Sequence, residues 1–211
     1  MLFISPPFGN YLTFLPFTTP IKGSYTIEYR PGLLGQIYET LQYSIPHTGW
    51  LNRIGLRNPG IDSGIKTYTS KSVLSIAFLQ KKIPNNFNIE INLSCPNADI
   101  LYTNQINKFI NQERKWCIVK LSPLDNYQKI DKLYEMGFRQ FHCCNTYPTK
   151  LGGLSGPFLY PFVKDKIKYI KNKYNDAEVI AGGGIQNIET LNKYKKWGQT
   201  IFLLAHYAFI L

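Results

Sequence analysis

From residue 89 onward the chain alternates short apolar runs with amphipathic stretches, and that alternation leaves few folds open to it. Residues 89–93 read as a strand, followed by a helix over 104–112 with Ile106, Phe109 and Ile110 at helical spacing. Residues 117–121 form the next strand. Asp125 then serves as the N-cap of a helix carrying Tyr127, Ile130, Leu133 and Tyr134, which Gly137 ends. A strand at 140–144 and a longer connection lead to a helix over 160–174, with Phe162, Val163, Ile167 and Ile170 on one face. A strand at 178–181, a glycine run, a helix over 187–197, the terminator Gly198 and a strand at 200–204 complete the pattern. Strands separated by helices pair in parallel through right-handed crossovers, which means a doubly wound sheet or a (β/α)8 barrel.

The first half is less regular. Residues 24–29 and 72–78 read as strands, 34–43 as a helix, and 78–88 is too short for a helix of normal length. With 211 residues, 44% of them hydrophobic and 18% charged, the chain suits one core, so a single domain over 1–211 is expected. A barrel usually takes about 250 residues and about 200 is its floor, so a barrel here is compact, with some outer helices reduced or missing.

Charge and composition remove other classes. No apolar run of about 18 residues exists, and the N-terminal stretch lacks a positive start and is broken by Pro6, Pro7 and Pro16, so no membrane span or signal peptide is expected. Lys plus Arg exceed Asp plus Glu by 24 to 13, which suits anionic partners. Much of that surplus sits in lysine-rich helices such as 164–173, where it reads as a solvated face, and no RNA-binding signature of interleaved glycines and aromatics appears, so no nucleic acid is expected. The four cysteines form no CxxC pair, which points to a reduced, cytoplasmic chain. His142 and Cys143 are adjacent in a strand, where neighbours face opposite ways, so no metal site is expected there.

Polar and small residues recur just past the strands, where barrels and open sheets carry their sites. Asn92, Ser94, Cys95 and Asn97 follow the strand at 89, Lys120 stands in an otherwise apolar strand, Asn145 and Thr146 follow the strand at 140, and Gly182, Gly183 and Gly184 follow the strand at 178. Each has a plainer reading: Lys120 pairs with a buried carboxylate, Asn92 bonds a neighbouring strand, Cys95 is an inert hydrophobe, the glycines form a turn. A glycine run before a helix start also suits a phosphate. Four successive strands ending this way favour a ligand site.

These motifs resemble one family in order. Asn92-Leu93-Ser94-Cys95-Pro96-Asn97 is similar to the NLSCPN signature of dihydroorotate dehydrogenase. Lys22-Gly23-Ser24-Tyr25-Thr26 resembles its early lysine turn, Gly55-Leu56-Arg57-Asn58-Pro59-Gly60 its GLxNxG segment and Val119-Lys120-Leu121 its VKL strand. Gly152-Gly153-Leu154-Ser155-Gly156-Pro157 resembles its GGLSGP loop and Gly183-Gly184-Ile185 its late GGI.

The resemblance implies an FMN-containing (β/α)8 barrel that oxidises dihydroorotate to orotate in pyrimidine biosynthesis. By position, Cys95 takes the C5 proton as base while hydride leaves C6 for the flavin, and Lys120 supports the reduced flavin. Lys22, Asn58, Asn92, Asn97, Asn145 and Thr146 bind substrate. Lys22, Asn92, Lys120, Gly156, Gly183 and Gly184 bind the cofactor. A cysteine base and the missing anchor match the soluble class, whose electron acceptor is fumarate or NAD through a partner subunit; a homo-oligomer is compatible with it. The chain departs from the family in its shortness, in ending at Leu211 without a closing helix, in Leu204-Ala205-His206-Tyr207 where a Gly-Thr pair binds phosphate, and in Tyr11 and Leu12, which would crowd the flavin. An alternative follows: a shrunken, catalytically impaired relative with a structural or regulatory role. A third reading, a flavoenzyme reducing uridine in RNA, fits the motifs less well.

Overall fold

A computed structural model describes residues 1–94, 106–185 and 187–196, and the backbone of 201–204. Eight parallel strands form a hydrogen-bonded ring: β1 (Leu2–Ile4), β2 (Thr18–Tyr25), then β5 (Val73–Ile76), β6 (Ile89–Asn92), β7 (Cys117–Lys120), β8 (Gln140–Cys143), β11 (Glu178–Ala181) and β12 (Ile201–Leu204). β1 pairs with β12 on one side and β2 on the other, Leu2 standing opposite Phe202 and Thr18. The fold is α/β and TIM-barrel-like. The missing numbers belong to a second sheet, antiparallel, with β3 (Gln42–Ser44), β4 (Gly49–Asn52), β9 (Tyr147–Thr149) and β10 (Gly152–Ser155) in the order β3-β4-β10-β9.

Alternation along the strands sorts the interior. Phe3, Ile21, Val73, Ile118 and Ile180 point into the ring and with Trp116 make an apolar plug. Two residues further along the same faces come Ser75 and Lys120, at the level of Glu90, His142 and Asn92 on the strands between, so polarity rises toward the C-terminal mouth. Ile89, Ile91, Val119, Phe141, Cys143 and Val179 face outward and pack with the helices. The faces thus separate His142 from Cys143.

Among the described residues the outer layer is sparse. Helices α1 (Leu33–Thr40) and α2 (Ile61–Lys66) lie between β2 and β5, α3 (Tyr127–Glu135) follows β7, α4 (Tyr160–Lys173) precedes β11, and α5 (Ile188–Lys195) follows it. No helix stands between β5 and β6. There a loop buries Phe78, Leu79 and Ile83, Phe87 stacks on Tyr68 at 3.7 Å, and the buried Arg114 guanidinium donates to the carbonyls of Ile83, Phe87 and Phe109. One arginine therefore satisfies carbonyls that a helix would have paired internally.

Several local expectations are corrected. Asn126 caps α3, accepting from the Lys129 amide at 2.9 Å, while Asp125 accepts from the Ser122 amide. The described part of the expected helix at 104–112 is a 3-10 turn at 106–109, ended by Asn111, whose side chain accepts from the amides of Glu113 and Arg114. The strand expected at 24–29 stops at Tyr25, where Thr26 turns away to bond Asn58. The glycine run does not open α5 directly, since that helix begins at Ile188 with Asn187 as its cap.

Candidate functional site

The strand ends converge on one cavity of about 480 Å³ at the C-terminal mouth of the ring. A lobe of about 110 Å³ adjoins it, and Pro6, Pro7, Asn52, Ile54, Lys120, Asn145 and Thr146 line both. β2 contributes Ser24, β6 leads to Asn92 and Ser94, β7 ends in Lys120, and β8 leads to Asn145 and Thr146; Gly183, after β11, lines the smaller lobe. Among the described lining residues there is no carboxylate, while Lys120, Arg53 and Arg57 supply positive charge, which suits an anionic ligand.

Lys120 both lines the cavity and neighbours a buried carboxylate. It is 6% exposed at the junction of the two lobes, and its Nζ lies 4.0 Å from Glu90 Oε1 beneath the floor. Burial alone would raise the Glu90 pKa, but Lys120 and His142, with hydrogen bonds from His142 and Ser75, outweigh it and hold the carboxyl at about 2. Burial holds the His142 pKa below its ordinary value.

Asn92 donates through Nδ2 to Ser24 Oγ at 3.0 Å, and Ser94 donates to Asn92 Oδ1 while accepting from Asn145 Nδ2 at 2.6 Å. Thr146 packs on Gly153, where a Cβ would fall within 3.0 Å of the threonine Cβ. Gly183 has φ +91°, and a Cβ there would lie 2.7 Å from Leu159 Cδ1; Gly184, at φ +76°, would place one 3.1 Å from the Gly156 carbonyl oxygen. The two late glycine turns therefore meet, although only Gly183 lines a lobe.

Besides Gly156 and Gly184, two further predicted residues, Lys22 and Asn58, do not line the cavity. Lys22 lies opposite Leu74 on the outer face of β2 and donates to the Thr67 carbonyl at 2.9 Å. The register shift between Lys22 and Tyr25 turns Ser24 inward in its place, as a one-residue step exchanges faces. Asn58 is buried and spent on its own loop: Oδ1 accepts from the amides of Thr26 and Gly60, and Nδ2 donates to Thr26 Oγ1 and the Leu56 carbonyl. Tyr11, expected to crowd the site, is 54% exposed and lines neither lobe. Cys95, Asn97, Ala205, His206 and Tyr207 lie outside the described residues.

Asn52 was missed. It ends β4, lines both lobes and approaches the Gly153 carbonyl at 3.4 Å. Its one sequence signal is its place just before Ile54-Gly55-Leu56, all three of which also line the cavity.

No protein-family model matches the chain. It is 25% identical, over an alignment covering 72% of this chain and 69% of the relative, to "Dihydroorotate dehydrogenase B (NAD(+)), catalytic subunit" of Thermotoga maritima. The protein of that description from Petrotoga mobilis is 28% identical, covering 80% of this chain and 69% of the relative. Among solved structures, DHODH from Eimeria tenella in complex with ferulenol superposes with a TM-score of 0.62 at 17% identity, covering 88% of this chain and 69% of that one, which supports the fold. These similarities support a place for the chain in the dihydroorotate dehydrogenase family, a family of flavin-dependent oxidoreductases.

Proposed function

We propose that this chain oxidises dihydroorotate to orotate with FMN as cofactor, in pyrimidine biosynthesis and in the cytoplasm. The observation that carries the reading is the convergence of Lys120, Asn92, Ser94, Asn145 and Thr146 on one carboxylate-free cavity among the described residues. The names of the relatives supply the substrate.

The residues present fit a flavin mononucleotide. The smaller lobe is walled by Pro6, Pro7, Ile37, Leu41, Trp50 and Leu159, which suits a flat ring system, and Lys120 offers a cation to its polar edge. Gly183 leaves a turn that a side chain would fill, where backbone can approach a phosphate. When bound, FMN supplies a two-electron acceptor.

The chain's own groups do the rest. Amides at Asn92 and Asn145 and the hydroxyl of Thr146 offer fixed donors and acceptors to the ring amides and carboxylate of dihydroorotate. Cys95 follows Ser94 directly and takes the C5 proton as general base, a role that needs a thiolate and gains from the cations of the mouth. In an anaerobic visible spectrum of FMN-loaded protein, dihydroorotate should bleach the flavin bands, and Cys95→Ala should keep the flavin and lose the bleaching at neutral pH. The outward Lys22 and the internally bonded Asn58 favour a second reading, a relative that binds without turnover. Bound flavin that stays oxidised in the unmodified protein would select it.

A further inference from the structure

Beneath the cavity lies a carboxylate that the reaction above does not use. Glu90 and His142 point into the ring with no exposure, and His142 Nδ1 lies 2.6 Å from Glu90 Oε2. His142 Nε2 has no hydrogen-bond partner among the described residues, which matches a neutral ring donating its single N–H to Glu90. Ser75 donates to Glu90 Oε1 at 2.8 Å.

An ionised carboxylate only accepts, so every hydrogen leading to it has one direction. Ser75 gives its single hydrogen to Glu90; in the 2.7 Å contact between Ser75 and Ser24, Ser24 is therefore the donor. With its own hydrogen engaged, Ser24 must accept from Asn92 Nδ2. Asn92 is thereby compelled to turn Oδ1 toward Ser94, whose hydroxyl donates to it and accepts from Asn145 Nδ2. Reversing any link would set two hydrogens or two lone pairs against each other.

We infer that Glu90 is the positioning residue of this site: as terminal acceptor of a one-way chain through Ser75, Ser24, Asn92 and Ser94, it dictates which edge of the Asn92 and Asn145 amides faces a ligand. The catalytic consequence rests on the proposed oxidation of dihydroorotate, whereas the direction of the chain rests on geometry alone. The depressed Glu90 pKa of about 2 keeps the acceptor ionised throughout the range in which the protein would be assayed.

Ser75→Ala cuts the chain while leaving Glu90, His142 and Lys120 in place, and Ser75→Thr restores the hydroxyl. With asparagine selectively labelled with 15N, Ser75→Ala should shift the side-chain amide signals of both Asn92 and Asn145, and Ser75→Thr should return them. In FMN-loaded protein, Ser75→Ala should lower kcat about tenfold or more, with a smaller change in KM, because misaligned donors cost the reacting geometry more than the binding. Asn145 signals that stay in place in Ser75→Ala, or that Ser75→Thr leaves shifted, would overturn the inference. If the unmodified protein turns over no dihydroorotate but the asparagine signals respond as described, the functional reading fails and the positioning role stands.

Discussion

Glu90 and His142 make acid the adverse direction for this protein. Below pH 6.5, the ordinary value for histidine, the unfolded chain takes up a proton that the buried ring resists, because burial depresses the folded pKa. Below pH 4.5 the unfolded Glu90 also protonates, while the folded carboxyl stays ionised down to about 2. Both pKa values are lower in the folded state, so their stabilisation is full above these ordinary values and is lost as pH falls through the folded ones. Glu90 alone contributes on the order of 3 kcal/mol. The urea midpoint should therefore fall from pH 7 to pH 4 and more steeply below it; a midpoint that rose on acidification would contradict this account. Lys120 belongs to the same scale. Lys120→Ala should weaken FMN retention, read by fluorescence titration, because it removes the cation shared by the two lobes. An unchanged dissociation constant would assign the lysine to Glu90 alone.

The late glycine turns carry the argument at the scale of elements. Gly183→Ala adds a Cβ 2.7 Å from Leu159 Cδ1 at a φ of +91°, so strain and collision act together. A loss of about 1–3 kcal/mol is expected, with weaker flavin binding, since Leu159 walls the same lobe. Gly32 provides the control: its φ is +89° but nothing lies within 4 Å of a Cβ there, so Gly32→Ala should carry strain without a change in flavin affinity. Equal effects of the two variants on flavin binding would remove the turn from the site. The α3–α4 pair shows how a basic chain spends its few acids. Asp131 accepts from Tyr169, Tyr174 and Lys173, and Asp176 from Tyr134 and Arg139, so carboxylates on or near the outer helices stitch tyrosines and cations together.

Across the whole molecule, one apolar cluster runs through the outward faces of the ring strands and the helices packed on them, while the plug fills the ring's lower interior. A reduced outer layer is tolerated because loops supply the missing hydrophobes and Arg114 satisfies their carbonyls. No helix among the described residues is long and apolar enough to cross a membrane. Because these layers share side chains, we expect one cooperative thermal transition over the chain, moved upward by FMN with the logarithm of its concentration once that exceeds the dissociation constant. Two separated transitions by calorimetry would divide the chain into independent units.

The sequence by itself determined the parallel α/β order from residue 89 onward, because strand and helix periods are local properties of a run of side chains. It also located Asn92, Lys120, Asn145 and Thr146 at the mouth, since each ends or follows a strand whose direction the crossovers dictate. Only the tertiary structure decided which face each residue of an irregular strand shows. Alternation after the inward Ile21 sends Lys22 outward, and the register shift beyond it turns Ser24 inward, which no local pattern marks. It likewise decided the second sheet, in which Asn52 pairs with Gly153 across 101 residues of chain, and so brought Asn52 to the cavity. Asn58 and Glu90 make the same point from opposite sides. The first has a site motif and spends its bonds on a loop; the second reads as one more strand residue and becomes the acceptor beneath the site, because burial and partners belong to the assembled ring and to no segment of it.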